Sequence, residues 1–299
     1  MTDAPARPLH VLLAGAAGFL GSHLVRACAG EFHFTALSRN GAPIESTRTI
    51  ALDLRDCIDS GALPAHVDAV VHLAQSNRYR SFPVGADEVV RVNVASTLAL
   101  AEWARKTGCP HFVYASSPGF NPEHGVAAAD DAPIVPESFY LKTKAMAEAL
   151  LVESKFPGTL TILRPYTPYG PGQRDRLIPN LAAQVAAGKP ITLEGDDRGL
   201  LLSPIHVRDA VRAIAAVLRR RPQGFVNLAG EETVSVREVA ELAGAACGRS
   251  PLFEIRADTA KRSLVGDNRR MKSLLEDPTL TRFPLGLAEC LAGERSSQA

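Results

Sequence analysis

Long apolar runs are missing from this chain of 299 residues. None reaches the roughly 18 uninterrupted apolar positions that a membrane helix needs, so no span is expected. Cysteine is scarce: Cys28, Cys57, Cys109, Cys247 and Cys290 are odd in number, scattered, and form no Cys-x-x-Cys. That argues against a disulfide framework or a zinc knuckle and fits small hydrophobes in a reducing, cytoplasmic compartment. Charge of one sign is absent too, with 33 Lys and Arg against 32 Asp and Glu and a net charge of +1. Neither nucleic acid nor an anionic membrane is indicated, and a small molecule is the default partner. The eight histidines contain no His-x-His or His-Glu-x-x-His, so no metal site is expected.

What the chain does have is alternation. Strand-length apolar runs at residues 9–14, 32–37, 69–73, 111–115 and 160–163 are separated by helical patterns such as 87–107 and 139–155. Alternation of this kind needs parallel crossovers with helices on both faces, so the fold class is α/β, a doubly wound parallel sheet with its ligand site at the carboxyl ends of the strands. The apolar stripe Val89, Val92, Leu100 and Trp103 reads as core. After Arg164 the texture changes to RPYTPYGPGQRDR, dense in Pro and Gly and therefore loop. Helix-like 177–189, a short strand near 191–193, a helix from about 207 to 219 and a returning strand at 225–228 follow. SVREVAELAGAAC reads as a helix capped by Ser235. The expected division is a first domain over 1–165 with 205–230 returning to it, and a smaller lobe built from 166–204 and 231–299.

The first strand runs into AGAAGFLGSHL, with Gly15, Gly18 and Gly21 spaced as a dinucleotide turn requires: a tight turn, a close backbone approach to pyrophosphate, and a helix meeting a strand. No Gly-Lys-Ser/Thr follows, which disfavours a nucleoside-triphosphate loop. Where an acidic residue would bind a ribose 2'-hydroxyl, FTALSRN places Ser38 and Arg39. A hydroxyl and a guanidinium suit a 2'-phosphate, so NADP is favoured over NAD, against the plainer reading of Arg39 as a solvated loop residue. Asp53, in ALDLRD, has two open readings, an adenine contact or a helix cap.

In SFYLKTKAMAE, Tyr140 and Lys144 stand four apart, which on a helix sets an ammonium beside a phenol. GAAGFLG, VVHLA (70–74), Asn93 in RVNVAST, YASS (114–117), Tyr140-x-x-x-Lys144 and RPYTPYGPGQR occur in that order, and together they resemble the extended short-chain dehydrogenase/reductases. The resemblance is to the NAD-dependent epimerase/dehydratase branch that acts on nucleotide sugars, and it covers Val11 to about Leu275.

The resemblance implies a Rossmann fold with a smaller C-terminal substrate-binding lobe. It makes Tyr140 the general acid/base, Lys144 the cation that favours the phenolate, Ser117 the hydroxyl that holds the substrate oxygen, and Asn93 a brace for the helix. Gly15, Gly18, Phe19, Leu20, Gly21, Ser38, Arg39, Asp53, Leu54, Leu73 and Ala74, with Tyr140 and Lys144, are the implied cofactor contacts. Ser117, Pro118, Tyr166, Arg174 and His206 are the implied substrate contacts; for His206 a helix-entry role competes. A homodimer is also implied, built on the 87–107 helix and the Tyr/Lys helix.

Four departures bear on the reaction. The family's dehydratases carry Asp-Glu after the catalytic Ser/Thr; here Pro118 and Gly119 follow, which argues against 4,6-dehydration. The usual Tyr-Gly becomes Asn121-Pro122. The customary Asn after Arg-Pro-Tyr is Thr167. Leu202 replaces an arginine that holds the nucleotide diphosphate, which leaves the nucleotide handle open to Arg174, Arg176, Arg198 or Arg208, or to a substrate without one. The expected function is an NAD(P)-dependent oxidoreductase transferring hydride at a sugar carbinol or keto carbon, as a nucleotide-sugar 4-ketoreductase or dehydrogenase. The alternatives are a 4-epimerase with retained NAD and a nonenzymatic NADP sensor.

Overall fold

Strand β1 (Leu9–Ala14) is buried from Val11 onward, as a strand covered on both faces must be. It lies in a seven-stranded sheet with β2 (Phe32–Ser38), β3 (Arg48–Ala51), β4 (Ala69–His72), β5 (His111–Ala115), β6 (Thr159–Pro165) and, at the far edge, β9 (Gly224–Leu228). The order is β3-β2-β1-β4-β5-β6-β9, and every pairing from β3 through β6 is parallel. The order reverses between β1 and β4. That reversal opens a crevice at the carboxyl ends of those two strands, where doubly wound sheets bind ligands. In this computed structural model residues 7–121 and 123–296 are described. Residues 1–6, Pro122 and 297–299, the expected start of the first domain, the altered wall position and the end of the lobe, lie outside them.

Helix α1 (Phe19–Cys28) follows β1 directly. The 87–107 pattern forms one continuous helical rod, α2 (Ala86–Val90), a π-turn (Arg91–Ala95) and α3 (Ser96–Lys106). Its stripe Val89, Val92, Leu100 and Trp103 is buried. Helix α4 (Phe139–Glu153) starts where the Ser138 hydroxyl accepts from Leu141 N at 3.2 Å, which satisfies one of the free first-turn donors.

The chain divides into two units, 1–117, 136–164 and 214–225 in the first, and 118–135, 165–213 and 226–299 in the second. This differs from the expected division at 118–135, which leaves the first domain, and in the return, which is limited to 214–225. The reason is backbone pairing. Asn121 N donates to Ser263 O at 2.8 Å, Ala128 N to Val265 O at 2.9 Å and Asp267 N to Ala128 O at 2.9 Å, so this segment belongs with the chain near 263–267.

In the second unit α5 (Leu177–Ala186) and α7 (Val236–Cys247) share a core with Tyr169 and Phe283, and Ser235 and Glu238 form a reciprocal capping box on α7. Two small sheets complete it, and the short strand expected near 191–193 lies in one of them. One joins β7 (Ile191–Glu194) to β11 (Phe253–Arg256), the other β8 (Leu201–Leu202) to β10 (Val234–Ser235) and β12 (Ser263–Leu264). Helix α6 (Val207–Arg220) runs from the second unit into the first, and α8 (Arg269–Leu274) and α9 (Phe283–Ser296) belong to the second. No helix among the described residues is long and apolar enough to cross a membrane.

Candidate active site

The glycine turn is built to steric limits. Gly15 sits at φ +92°, and a Cβ there would lie 2.7 Å from Ala74 N and 2.9 Å from Leu73 C, so β1 and β4 touch backbone to backbone at the switch point. A Cβ on Gly21 would lie 2.2 Å from Gly15 O, so α1 also packs on this turn through a missing side chain. Gly18 is different. It is the exposed N-cap of α1, with extended φ of −77°, no side-chain cap, and only Gly15 O near a hypothetical Cβ, at 3.1 Å. The α1 N-terminus therefore keeps its N–H groups and positive dipole end open outward, which fits a dinucleotide pyrophosphate. Phe19 and Leu20, half-buried, form its first turn.

At the end of β2, the Ser38 hydroxyl faces Asn40 Oδ1 at 3.4 Å and Arg39 is exposed. Asp53 opens a turn, not a helix: its carboxylate accepts from Arg55 N at 2.9 Å and takes the Arg55 guanidinium on both oxygens. Hydrogen bonding to that guanidinium holds the Asp53 carboxyl below its usual range. Leu54 follows it, half-buried.

Tyr140 and Lys144 both sit on α4, but in different surroundings. The Tyr140 phenol is half-buried and donates to Gln75 Oε1 at 2.8 Å, while its ring lies 4.6 Å from that of Tyr79. Lys144 is 2% exposed, with Nζ 4.6 Å from the centroid of the Tyr114 ring. Burial drives its ammonium down to about 7, against the opposing pull of Glu148. An amine that titrates near neutrality can exchange a proton at neutral pH. Asn93, in the π-turn, accepts from Ser76 N at 2.9 Å and donates to Thr143 Oγ1 at 3.0 Å. It thereby ties the segment after β4 to α4 one residue before Lys144. Ser117 is half-buried just beyond β5.

In the second unit Pro118 is buried, and Gly119 packs against the backbone of Val135. Tyr166 is buried over Gly266, where a Cβ would come within 2.5 Å of the ring. Arg174 is exposed in the Pro/Gly loop. His206 is buried at the entry to α6: its Nδ1 accepts from Arg208 N at 3.3 Å, its ring meets Tyr169 edge-on at 5.3 Å, and Nε2 lies 3.6 Å from Glu289. Leu202 is fully buried in β8, so this position carries core packing.

Sequence reasoning did not find Gln75 or Tyr79. Their only signal was position, immediately after β4 at the ligand end of the sheet.

Residues 11–229 match the NAD dependent epimerase/dehydratase family. The chain is 32% identical over 266 residues to a dTDP-4-dehydro-6-deoxy-D-allose reductase from Streptomyces bikiniensis, covering 80% of this chain and 81% of the relative. It is 31% identical over 291 residues to a dTDP-glucose 4,6-dehydratase from Streptomyces griseus, covering 89% and 88%. Among solved structures, MoeE5 in complex with UDP-glucose and NAD aligns with a TM-score of 0.82 at 30% identity, over 97% of this chain and 100% of the other.

Proposed function

The chain belongs to the NAD-dependent epimerase/dehydratase family, and we propose that it is a reductase acting on the 4-keto group of a nucleotide-linked sugar, with NADPH preferred to NADH. The observation that carries the reading lies at residues 118 and 119. After Ser117 come Pro118 and Gly119, and neither has an acidic side chain. Removing a sugar hydroxyl as water calls for an acid beyond Tyr140, whereas reducing a ketone calls for one proton donor. The similarity to the dTDP-4-dehydro-6-deoxy-D-allose reductase supports the same choice.

When bound, the nicotinamide dinucleotide supplies the hydride. The fit of the glycine cradle supports a dinucleotide: Gly15, Gly18 and Gly21 with Phe19 and Leu20 would hold the pyrophosphate, Leu73 and Ala74 the β4 side of the crevice, and Asp53 and Leu54 the adenine end. Ser38 and Arg39 would take the 2'-phosphate, which supports NADPH; MoeE5 was solved with NAD, which supports NAD as the competing cofactor. Tyr140 gives its phenolic proton to the oxygen that gains charge, Ser117 hydrogen-bonds that oxygen, and Lys144 stabilises the phenolate left behind. Pro118, Tyr166, Arg174 and His206 are the proposed substrate contacts, with His206 also closing the entry to α6.

A 4-epimerase with retained NAD uses the same residues and is the second reading; the NAD and UDP-glucose held in the MoeE5 structure support a bound NAD beside a nucleotide sugar. We also propose a homodimer in the cytoplasm. Its support is the exposed apolar side chains on α2 and α4, Val90 (41%), Met146 (53%) and Leu150 (39%), and five cysteines none of which forms a disulfide. Light scattering at micromolar concentration tests the dimer, and a monomer excludes it. For the reaction, NADPH oxidation is followed with a nucleotide-linked 4-keto-6-deoxy sugar. Tyr140→Phe is expected to abolish it, and retained turnover in that variant would rule the assignment out.

A further inference from the structure

Gln75 is the third residue beyond β4, and its carboxamide oxygen is the acceptor for the Tyr140 hydroxyl at 2.8 Å. The contact is held from several sides. Ser76, next in the chain, is fixed through its N–H by Asn93 and through its hydroxyl by Glu88 at 2.8 Å. Four residues after Gln75, the Tyr79 ring rests on the Tyr140 ring, and Phe82 stacks on Phe139 at 4.4 Å. The segment from Gln75 to Phe82 thus grips the first turn of α4 through one hydrogen bond and two ring pairs.

We infer that Gln75 is a positioning residue for proton transfer, aiming the Tyr140 hydroxyl and favouring its protonated form. This rests on the reading of Tyr140 as the proton donor. The physical reason is the direction of the bond. A carboxamide oxygen accepts from a phenol but only repels a phenolate, so the contact is worth something while the proton is present and is lost when it leaves. Lys144, one turn along the helix, acts the opposite way and favours the phenolate. The other ionisable groups that face the phenol are Tyr114 on β5, which couples to Tyr140 electrostatically, and Tyr79 with Arg80 stacked over its ring from the same segment as Gln75. Gln75 adds to these a direct hydrogen bond to the Tyr140 hydroxyl. For a reductase this bias has a use: the resting site holds a proton ready to give, and an incoming carbonyl oxygen replaces Gln75 as its acceptor.

Two substitutions move the phenol in opposite directions. Gln75→Met keeps the length and removes the acceptor; Gln75→Glu keeps the acceptor and adds a negative charge. The measurement is an ultraviolet difference titration of the Tyr140 phenol, each protein against its own Tyr140→Phe partner, which needs no substrate. The expected result is a pKa lowered by roughly half a unit to one unit in Gln75→Met, the size of one neutral hydrogen bond, and raised in Gln75→Glu. The Tyr140-linked limb of the pH profile of kcat/KM is expected to move with it. A phenol that titrates as in the wild type in both variants would reduce Gln75 to a structural contact, and a pKa raised in Gln75→Met would mean that the amide serves the phenolate; either overturns the inference. If Gln75→Met fails to fold, Gln75→Ala, which also removes the acceptor, gives the sign in its place; Gln75→Glu checks that the position faces the phenol. The reading of Tyr140 itself fails separately, through retained turnover in Tyr140→Phe alone.

Discussion

Asn93 and Thr143, fifty residues apart in sequence, meet at 3.0 Å inside the first unit, Asn93 being 1% exposed. Asn93 lies within the π-turn, a device that recurs at functional sites. Asn93→Ala leaves the Ser76 N–H without its acceptor and Thr143 without its donor. The expected loss is about 2 kcal/mol by chemical denaturation, with a fall in kcat. Combining it with Thr143→Val should cost less than the sum of the two, because both remove the same hydrogen bond.

Lys144 is held at a cost to stability. Burial lowers its folded-state pKa to about 7 from an ordinary 10.5. Between those values the unfolded chain keeps a proton that the folded chain has shed, so stability rises with pH across that window and this contribution is level below it. Lys144→Met is expected to remove the slope and to melt no lower than the wild type at pH 7, while hydride transfer falls by about 100-fold or more. Calorimetry across pH, paired with turnover, checks both halves.

The fold's alternation, the glycine turn and the Tyr/Lys helix were legible in the sequence because each is local: a strand period, a glycine spacing, a tyrosine and a lysine four apart. The remainder depends on what the fold brings together. Gln75 reaches Tyr140 across 65 residues, and no period in LAQSNRY marks it. The segment 118–135 looks like loop, and only its backbone bonds to residues near 263–267 assign it to the second unit. Strands of two residues, such as β8 and β12, are too short to show a period at all. Leu202 read as a missing arginine; the structure adds that its side chain is core.

The glycines should separate by role. Gly21→Ala places a methyl group 2.2 Å from Gly15 O and is expected to destabilise the first unit severely. Gly18→Ala meets nothing nearer than 3.1 Å and should fold normally but bind dinucleotide about tenfold more weakly (~1.4 kcal/mol). Thermal melting and cofactor titration of the two variants distinguish these outcomes.

His72 and His111 predict the acid limb of stability. Burial pushes both imidazoles down to about 3, with Lys144 adding to the effect at His72 and Arg221 at His111. Between about 3 and 6.5 the unfolded chain binds protons that the folded one refuses, so stability is intact at neutral pH and falls as pH drops through that window. His72→Gln and His111→Gln should each flatten the limb, as measured by urea midpoints at pH 4 to 7.

Arg39 tests the cofactor preference. Arg39→Ala is expected to lower the NADPH-over-NADH ratio of kcat/KM by roughly 10- to 100-fold, the loss of one or two charged hydrogen bonds, with little change in the NADH value.

The most direct measurement is of where the hydride ends up. NADPH deuterated at the transferred position is incubated with the protein and a nucleotide-linked 4-keto-6-deoxy sugar, and product and cofactor are analysed by mass spectrometry. A reductase gives one deuterium in each sugar formed and one NADP released with it, and neither appears with Tyr140→Phe. Conversion of a nucleotide sugar to its 4-epimer with no net cofactor consumed, on near-equimolar NAD carried through purification, would contradict the account.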